Sequence, residues 1–205
     1  LEPWDFPEGF YQLWDNPRLC PHLHLPLQSG SDKVLRRMIR RCSIADYKKL
    51  VREAREQNPS FHITSDLIIG FPGETEDEFQ ETINTIQEVG FGDMHLFTYS
   101  PREGTAAVRL PRHVSKITKK ERLDILKPIV QNMKQNFQQE MIGQEVSVLW
   151  ERDLTHLSDN QVLWKGYTEN YLRVQTIQAP EATLFNQCTK ATISHIEDEN
   201  LYVSL

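Results

Sequence analysis

Hydrophobic positions in the first 142 residues change repeatedly between short continuous runs and a helical period, which predicts strands separated by helices. The predicted strands cover 22–27, 62–69 and 93–98, and the predicted helices cover 6–14, 32–41, 43–57, 76–89 and 115–142. Helices that connect successive strands are typical of βαβ units and of a parallel sheet.

Local signals set the expected ends of two helices. Thr75 with Glu78 forms the capping-box pattern after a Gly-Pro-Gly turn, and Gly90 stands at a C-cap position. Thr118 with Glu121 is the candidate cap of the long helix, and Pro128 inside it is expected to kink or break it.

From Gly143 onwards the pattern has a period of two. Five short strands are predicted, at 146–150, 162–164, 171–174, 191–193 and 201–203. So many short strands with polar turns between them predict a small antiparallel β-barrel. The sequence therefore predicts two domains, a β/α unit over 1–142 and a small barrel over 143–205.

Charge is distributed unevenly over the 205 residues. The net charge is −6, of which residues 142–205 carry −5. The remaining part is nearly neutral but holds two basic stretches: Lys33, Arg36, Arg37, Arg40 and Arg41, then Arg102, Arg109, Arg112, Lys116, Lys119, Lys120 and Arg122. Each stretch is either a solvated helix face or an anion-binding surface. No apolar run approaches the ~20 residues of a membrane span, and no signal-peptide pattern opens the chain, so we expect a cytoplasmic protein without a membrane partner.

Cysteine and histidine positions restrict the chemistry. Cys20, Cys42 and Cys188 are too scattered for a disulfide framework or a cysteine-rich metal motif. His22 and His24 are compatible with metal binding, but a strand pair without metal is the expectation. The chain has no Gly-x-Ser-x-Gly, His-Glu-x-x-His or Walker motif, so nothing indicates a hydrolase or an NTPase.

Polar or glycine-containing turns follow all three predicted strands. In the turn 28–31, neutral donors and acceptors suit a ribose or an amino-acid headgroup; helix capping by Ser31 or Asp32 is the alternative. Gly70 and Gly73 leave the backbone bare beside a helix N-terminus, where a phosphate, a carboxylate or a flat ring can bind; a plain structural turn is the alternative.

The third strand end, 97–105, combines aromatic residues with Arg102 and a Gly-Thr turn. These residues suit a planar ligand and an anionic group. Because the carboxyl ends of strands in a parallel β/α barrel share one face, the three turns are expected to form one site.

These strand ends, in this order, resemble the radical S-adenosylmethionine methylthiotransferases. The matching stretches are 22–31, 35–40, 64–75 and 97–106. The end of the chain from Gly143 resembles the TRAM domain, a small RNA-binding β-barrel. The motif 166–171 is most similar to the branch that modifies N6-threonylcarbamoyladenosine in tRNA.

The resemblance implies the C-terminal part of a partial (β/α) barrel with a TIM-like fold, in which residues 1–3 match the end of the third of six strands. The family carries two [4Fe-4S] clusters, whose cysteine motifs this chain lacks. The chain is therefore expected to need the missing N-terminal part as a partner, to be inactive alone and to hold no catalytic or metal-binding residue. The resemblance places S-adenosylmethionine against Gln28, Ser29, Gly30, Ser31, Gly70, Phe71, Gly73, Phe97 and Tyr99.

The implied activity is transfer of a methylthio group to C2 of N6-threonylcarbamoyladenosine at position 37 of tRNA. The implied partner is the anticodon stem-loop of tRNA, and DNA is not expected to bind. Modification of isopentenyladenosine in tRNA or of a ribosomal-protein aspartate, another radical-enzyme branch, and a non-enzymatic RNA-binding module are the alternatives. On the basis of charge, aromatic character and position, the residues predicted to contact RNA are Arg40, Arg102, Thr105, Lys116, Lys119, Lys120, Tyr167 and Tyr171.

Overall fold

The computed structural model describes residues 2–157 and 160–205, so Leu1 of the predicted third-strand match lies outside the described residues. Four α-helices are described: α1 (Asp32–Arg37), α2 (Ile44–Gln57), α3 (Glu76–Val89) and α4 (Lys116–Glu140). The eight strands are β1 (His22–His24), β2 (His62–Ile69), β3 (Asp93–Thr98), β4 (Glu145–His156), β5 (Val162–Thr168), β6 (Arg173–Gln178), β7 (Cys188–Glu197) and β8 (Asn200–Ser204). Short 3₁₀ turns lie at Pro3–Asp5, Phe10–Asp15 and Ala106–Arg109.

The described residues form two compact units. The first contains the residues up to Leu13, Leu23–Pro59 and Ile63–Lys134, and the second contains Trp14–His22, Ser60–His62 and Gln135–Leu205. The division of the chain into domains at 142/143 stays a prediction.

The first sheet has the order β1-β2-β3. β2 and β3 are parallel from Thr64↔Asp93 to Ile69↔Thr98, and a parallel bridge joins Gln28 to Leu67. The predicted mixed α/β architecture with a parallel sheet is thus confirmed. Because the strands are parallel, the ends of β2 and β3 and the residue Gln28 lie at the same edge of the sheet.

Capping boxes begin two helices, at α3 as predicted and also at α2. The Thr75 hydroxyl accepts a hydrogen bond from the Glu78 amide at 3.3 Å, and the Glu78 carboxylate accepts one from the Thr75 amide at 3.0 Å. Ser43 and Asp46 form the same capping box at α2. Gly90 ends α3 in the left-handed conformation, with a φ of 63°. These ends are set by local hydrogen bonds, which is why the sequence predicts them well.

Three helices differ from the prediction. In place of the helix predicted over 6–14, the structure has short 3₁₀ turns at Pro3–Asp5 and Phe10–Asp15. α1 ends at Arg37 instead of 41, because Ile39 turns into the left-handed region with a φ of 59°. Ser115, the residue before α4, accepts a hydrogen bond from the Thr118 amide at 3.0 Å through its hydroxyl, so a cap formed by Thr118 is wrong. α4 also continues as one helix through Pro128, and a break there is therefore wrong.

The second sheet is a closed barrel in the order β4-β5-β6-β8-β7, which confirms the five predicted strands. β6 and β8 are parallel, so a purely antiparallel barrel is wrong at this one pair. The reason is that β8 forms an antiparallel hairpin with β7 and thereby runs in the direction of β6. Tyr171 lies in the turn before β6, with a φ of 66°, and not in the strand that the pattern predicts. Val148, Trp150, Trp164 and Ile193 are among the side chains that fill the barrel core.

Among the helices that the structure describes, none combines the length and the apolar character that a membrane crossing requires.

Candidate functional site

The Gly70–Thr75 turn connects β2 to α3. Gly70 and Gly73 have φ angles of 74° and 78°, which side chains with a Cβ rarely adopt. The turn's amides already have partners within the protein: the Gly70 N–H donates to the Glu74 carboxylate at 2.7 Å, and the Gly73 N–H donates to the Arg112 carbonyl at 2.8 Å. The glycines thus permit a turn that is closed by internal hydrogen bonds. The amides of Gly70 and Gly73 are both used in these bonds and are not available to bind an anion.

Glu74 and Arg122 form a buried ion pair that holds this turn. The Arg122 Nη1 donates to Glu74 Oε2 at 2.7 Å, and the exposed fractions of the two side chains are 6% and 2%. Arg122 also contacts the exposed carboxylate of Glu76 at 3.1 Å and lies 5.0 Å from the centre of the Phe79 ring. Burial raises the pKa of Glu74, although the Gly70 N–H and the Arg122 charge oppose that rise.

Sequence reasoning placed Arg122 in a solvated or RNA-facing basic stretch, and that interpretation is wrong. A usable signal exists in the spacing along α4. Arg122 precedes the buried residues Leu126, Val130 and Met133 at helical intervals, so it belongs to the core-facing stripe. An arginine on such a stripe requires a buried carboxylate, which Glu74 supplies.

Lys119 lies directly against the glycine turn. A Cβ built on Gly70 would come within 2.5 Å of the Lys119 Cγ, so only glycine leaves room for the lysine chain. The Lys119 Nζ donates to the Tyr99 carbonyl at 2.7 Å and lies 5.1 Å from the centre of the Tyr99 ring. Burial lowers the pKa of Lys119. Lys119 therefore connects α4 to the ends of β2 and β3. Because its ammonium group bonds inside the protein, Lys119 is less suited to bind RNA than an exposed lysine.

Aromatic side chains border the same edge of the sheet. The Phe71 and Tyr99 rings meet edge to face, with centroids 5.2 Å apart, and the Tyr99 amide donates to the Ile69 carbonyl at 2.8 Å. The Tyr99 hydroxyl is buried and has no hydrogen-bond partner among the described residues. Phe97 is 51% exposed. The apolar rings and the unpartnered hydroxyl fit a ligand with a flat ring and a polar group.

The turn 28–31 packs tightly on α3. The Gly30 amide donates to the Thr82 hydroxyl at 3.2 Å, and a Cβ at Gly30 would lie 2.6 Å from the Thr82 Cα. The Ser31 hydroxyl donates to the Glu81 carboxylate at 2.5 Å. Ser31 is the N-cap residue of α1, but its side chain makes no capping bond.

Gln28 and Ser29 occupy the start of this turn. Gln28 has a φ of 67° and is buried, and the Ser29 hydroxyl accepts from the Ser31 amide at 3.3 Å. The hydroxyls of this turn therefore bond mainly to the protein itself. A contact of the turn with S-adenosylmethionine stays a prediction.

The first basic stretch is largely neutralised. Arg37 makes two hydrogen bonds to the nearly buried Glu78 carboxylate, the shorter at 2.5 Å, and these bonds raise its pKa. Arg40 donates to Glu2 at 2.8 Å and lies over the Trp4 ring. Arg40, nominated as an RNA contact, thus has an internal partner.

The second basic stretch keeps exposed cations on both sides of the Lys119 contact. Lys116 and Lys120 on α4 are exposed, and so is Arg102 in the loop after β3. Thr105 is exposed as well, and its hydroxyl donates to the Arg102 carbonyl at 2.7 Å. These four residues remain candidates for RNA contact.

Stacked rings mark the surface of the second unit. The Tyr167 and Tyr171 rings are parallel within 16°, with centroids 4.9 Å apart. His22 stacks on Tyr171 at 4.8 Å, and the Arg173 guanidinium lies 5.5 Å from the centre of the Tyr167 ring. Since Tyr171 is 56% exposed, this group presents a flat aromatic surface that suits stacking by a nucleobase.

A metal site is not formed by the residues that the structure describes, since no three His, Cys, Asp or Glu side chains come together in a suitable way. His24 instead contacts the Thr64 hydroxyl through Nδ1 at 3.0 Å and the Asp66 carboxylate through Nε2 at 3.3 Å. The side chains of the described residues therefore do not fit an iron–sulfur cluster.

Comparison with known proteins agrees with this architecture. The profile of the Radical SAM superfamily matches residues 3–86. Coproporphyrinogen III oxidase from Escherichia coli, a radical SAM enzyme, superposes with a TM-score of 0.56 at 16% identity, over 82% of this chain and 45% of that structure. The profile match thus relates residues 3–86 to the radical SAM superfamily, and the superposition shows a shared fold.

Curated relatives narrow the family. The threonylcarbamoyladenosine tRNA methylthiotransferase MtaB of Thermotoga maritima is 47% identical over 158 residues, which is 77% of this chain and 35% of the relative. The tRNA-2-methylthio-N(6)-dimethylallyladenosine synthase of Alcanivorax borkumensis is 36% identical over 200 residues, 97% of this chain and 44% of the relative. The chain belongs to the radical SAM methylthiotransferase family and spans less than half the length of these two relatives.

Proposed function

We propose that this chain is the C-terminal part of a tRNA methylthiotransferase that acts on C2 of N6-threonylcarbamoyladenosine at position 37. The observation that carries the proposal is the 47% identity over 158 residues to a relative with that substrate in its name. Dimethylallyladenosine synthases match this chain at 35–43%. The resemblance of 166–171 to the same branch adds support. The five-stranded barrel is proposed to be a TRAM domain, and the whole protein to be cytoplasmic.

S-adenosylmethionine is the proposed cofactor, and when bound it supplies radical chemistry and a methyl group. Phe71 and Phe97 would contact its adenine, and the unpartnered hydroxyl of Tyr99 would hydrogen-bond to a polar group of the ligand. Gly70 and Gly73 contribute by the turn that they permit, which Glu74 and Arg122 hold in place. Cluster ligands are proposed to lie in another part of the protein.

The anticodon stem-loop of tRNA is the proposed macromolecular substrate. Lys116, Lys120 and Arg102 would bind its phosphates, because affinity for nucleic acids depends mainly on cationic side chains. The acidic barrel cannot bind RNA by bulk charge, so Tyr167 and Tyr171 would contribute by stacking on unpaired bases.

Nucleoside analysis tests the substrate. The gene for the protein would be deleted, and tRNA nucleosides would be measured by mass spectrometry. We expect the 2-methylthio group to disappear from N6-threonylcarbamoyladenosine, while isopentenyladenosine derivatives stay unchanged. Loss from isopentenyladenosine would assign the other tRNA branch, and no loss from either nucleoside would refute a tRNA methylthiotransferase.

Salt-dependent binding tests the RNA surface. In this chain, Lys116 and Lys120 would be replaced by Glu, and affinity for an anticodon stem-loop RNA would be measured from low to high salt. Each lost phosphate contact should flatten the dependence of log K on log salt by roughly one. Lys127→Glu is the matched control, because Lys127 lies on the same helix and already pairs with Asp124 at 2.9 Å. An unchanged slope would exclude this surface.

A further inference from the structure

Ile39 occupies a conformation that its side chain disfavours. It follows α1 in the left-handed region, with a φ of 59°, where β-branched residues are outliers. Its side chain is also 80% exposed, the largest exposed fraction among the large hydrophobic residues of the described chain. Neither backbone preference nor burial explains an isoleucine at this position, and such strain is typical of functional positions.

The exposed charged residues next to Ile39 in sequence that lack an ion pair with a described residue are both cations. Arg36 and Arg41 are exposed, and neither makes an ion pair with a residue that the structure describes. Arg37 and Arg40, by contrast, are held by Glu78 and Glu2. Residues 36–41 therefore contain one exposed apolar side chain and two exposed guanidinium groups that form no ion pair with a described residue.

The segment also borders the glycine turn. The Arg37 Nε lies 3.6 Å from the position that a Cβ on Gly73 would occupy. Ile39 comes two residues later, at the end of the same short helix. The short helix that ends beside Ile39 therefore contributes a side chain to the surroundings of the glycine turn.

We propose that Ile39 inserts against an unpaired base of a single-stranded RNA loop, while Arg36 and Arg41 bind the flanking phosphates. Apolar side chains act in this way as wedges beside bases, and guanidinium groups bind phosphates well. A protein partner is less suitable, because one apolar residue between two cations cannot form the apolar core of an interface. The inference rests on the proposed function, which supplies the RNA substrate.

The variant Ile39→Asn separates strain from binding. Asparagine tolerates the left-handed region, so the variant should have less backbone strain at position 39 than the parent. Its Tm should therefore rise by about 2–4 °C. Affinity for an unmodified anticodon stem-loop RNA should fall at least about fivefold, as for the loss of one base contact. The salt slope should not change, because no phosphate contact is removed. Arg36→Gln with Arg41→Gln should lower affinity and also flatten the slope.

Ile125→Gln is the control, since Ile125 is an exposed isoleucine (47%) on α4 in ordinary helical conformation. A higher Tm for Ile39→Asn with unchanged RNA affinity would overturn the inference and leave the proposed function intact. Self-association of the parent chain that disappears in Ile39→Asn would also overturn it, because the residue would then contact a second copy. If the parent chain binds no stem-loop RNA, the inference fails, while the nucleoside analysis decides the proposed function independently.

Discussion

Replacing Arg122 by Met tests whether the buried ion pair holds the glycine turn. Methionine keeps much of the packing volume against Phe79 but leaves the Glu74 carboxylate buried without its cation. Removing one partner of a buried pair costs about 3–5 kcal/mol. The lost contact with the exposed Glu76 adds only about 0–1 kcal/mol. We therefore expect the free energy of unfolding to fall by about 3–5 kcal/mol at pH 7.

The pH dependence of this loss has a definite sign. Burial already raises the pKa of Glu74 in the folded protein, and removal of the Arg122 charge raises it further. A carboxyl group whose pKa is raised by folding supports the folded state below its unfolded pKa, and that stability is lost as the pH rises through the folded value. The deficit of Arg122→Met should therefore be largest near neutral pH and should shrink as the pH falls towards the ordinary range of glutamate.

A double variant provides the decisive comparison. Glu74→Gln combined with Arg122→Met removes both charges and keeps an oxygen that can accept from the Gly70 N–H. It should recover most of the loss, to within about 1–2 kcal/mol of the parent, because no uncompensated charge stays buried. Arg52→Met, at an exposed pair with Glu56, is the control and should change stability by less than about 0.5 kcal/mol.

Urea unfolding followed by circular dichroism would measure these values between pH 5 and pH 7. Hydrogen exchange of the Gly70 amide would report the turn itself. A loss below about 1 kcal/mol for Arg122→Met, a loss independent of pH, or no recovery in the double variant would refute the reasoning.

Three further results are expected. Gly30→Ala should lower the free energy of unfolding by about 1–3 kcal/mol, measured by thermal unfolding. The new Cβ would lie 2.6 Å from the Thr82 Cα, so the backbone of α3 would have to move. A stability equal to that of the parent would show that this contact is not tight. Thr75→Ala should lower stability by about 1 kcal/mol through loss of the N-cap bond, with Thr75→Ser as the variant that retains it. Iron and sulfide analysis of the purified chain should find no stoichiometric cluster, and a broad visible absorbance with matching iron would contradict this.

The sequence predicts elements whose signals are local. α2, α3 and β3 have the expected bounds because capping residues, glycine and short apolar runs fix them within a few residues. α1 is shorter than expected because Ile39 adopts a conformation for which its type gives no signal. The parallel pairing of β6 with β8 follows from how the barrel closes, which no short window of sequence reports.

Charge composition was the least informative guide to the site. It grouped Lys116, Lys119, Lys120 and Arg122 together, although the structure gives Lys119 and Arg122 internal partners. Those partners are distant in sequence, so only the helical position of each residue relative to the buried stripe of α4 separates them. The family resemblance was confirmed because it rested on long motifs rather than on charge.

Barrel closure also affects how the second unit folds. β4 pairs with β5 through a short connection, but Glu145 in β4 also pairs with Thr192 in β7. Pairings between distant residues form slowly, because a long loop must be ordered first. We expect β4–β5 and β7–β8 to form early as hairpins, and β4–β7 to close the barrel last. During synthesis, β4 therefore keeps an open edge until the ribosome has released β7, and chaperone contacts in that interval would protect it.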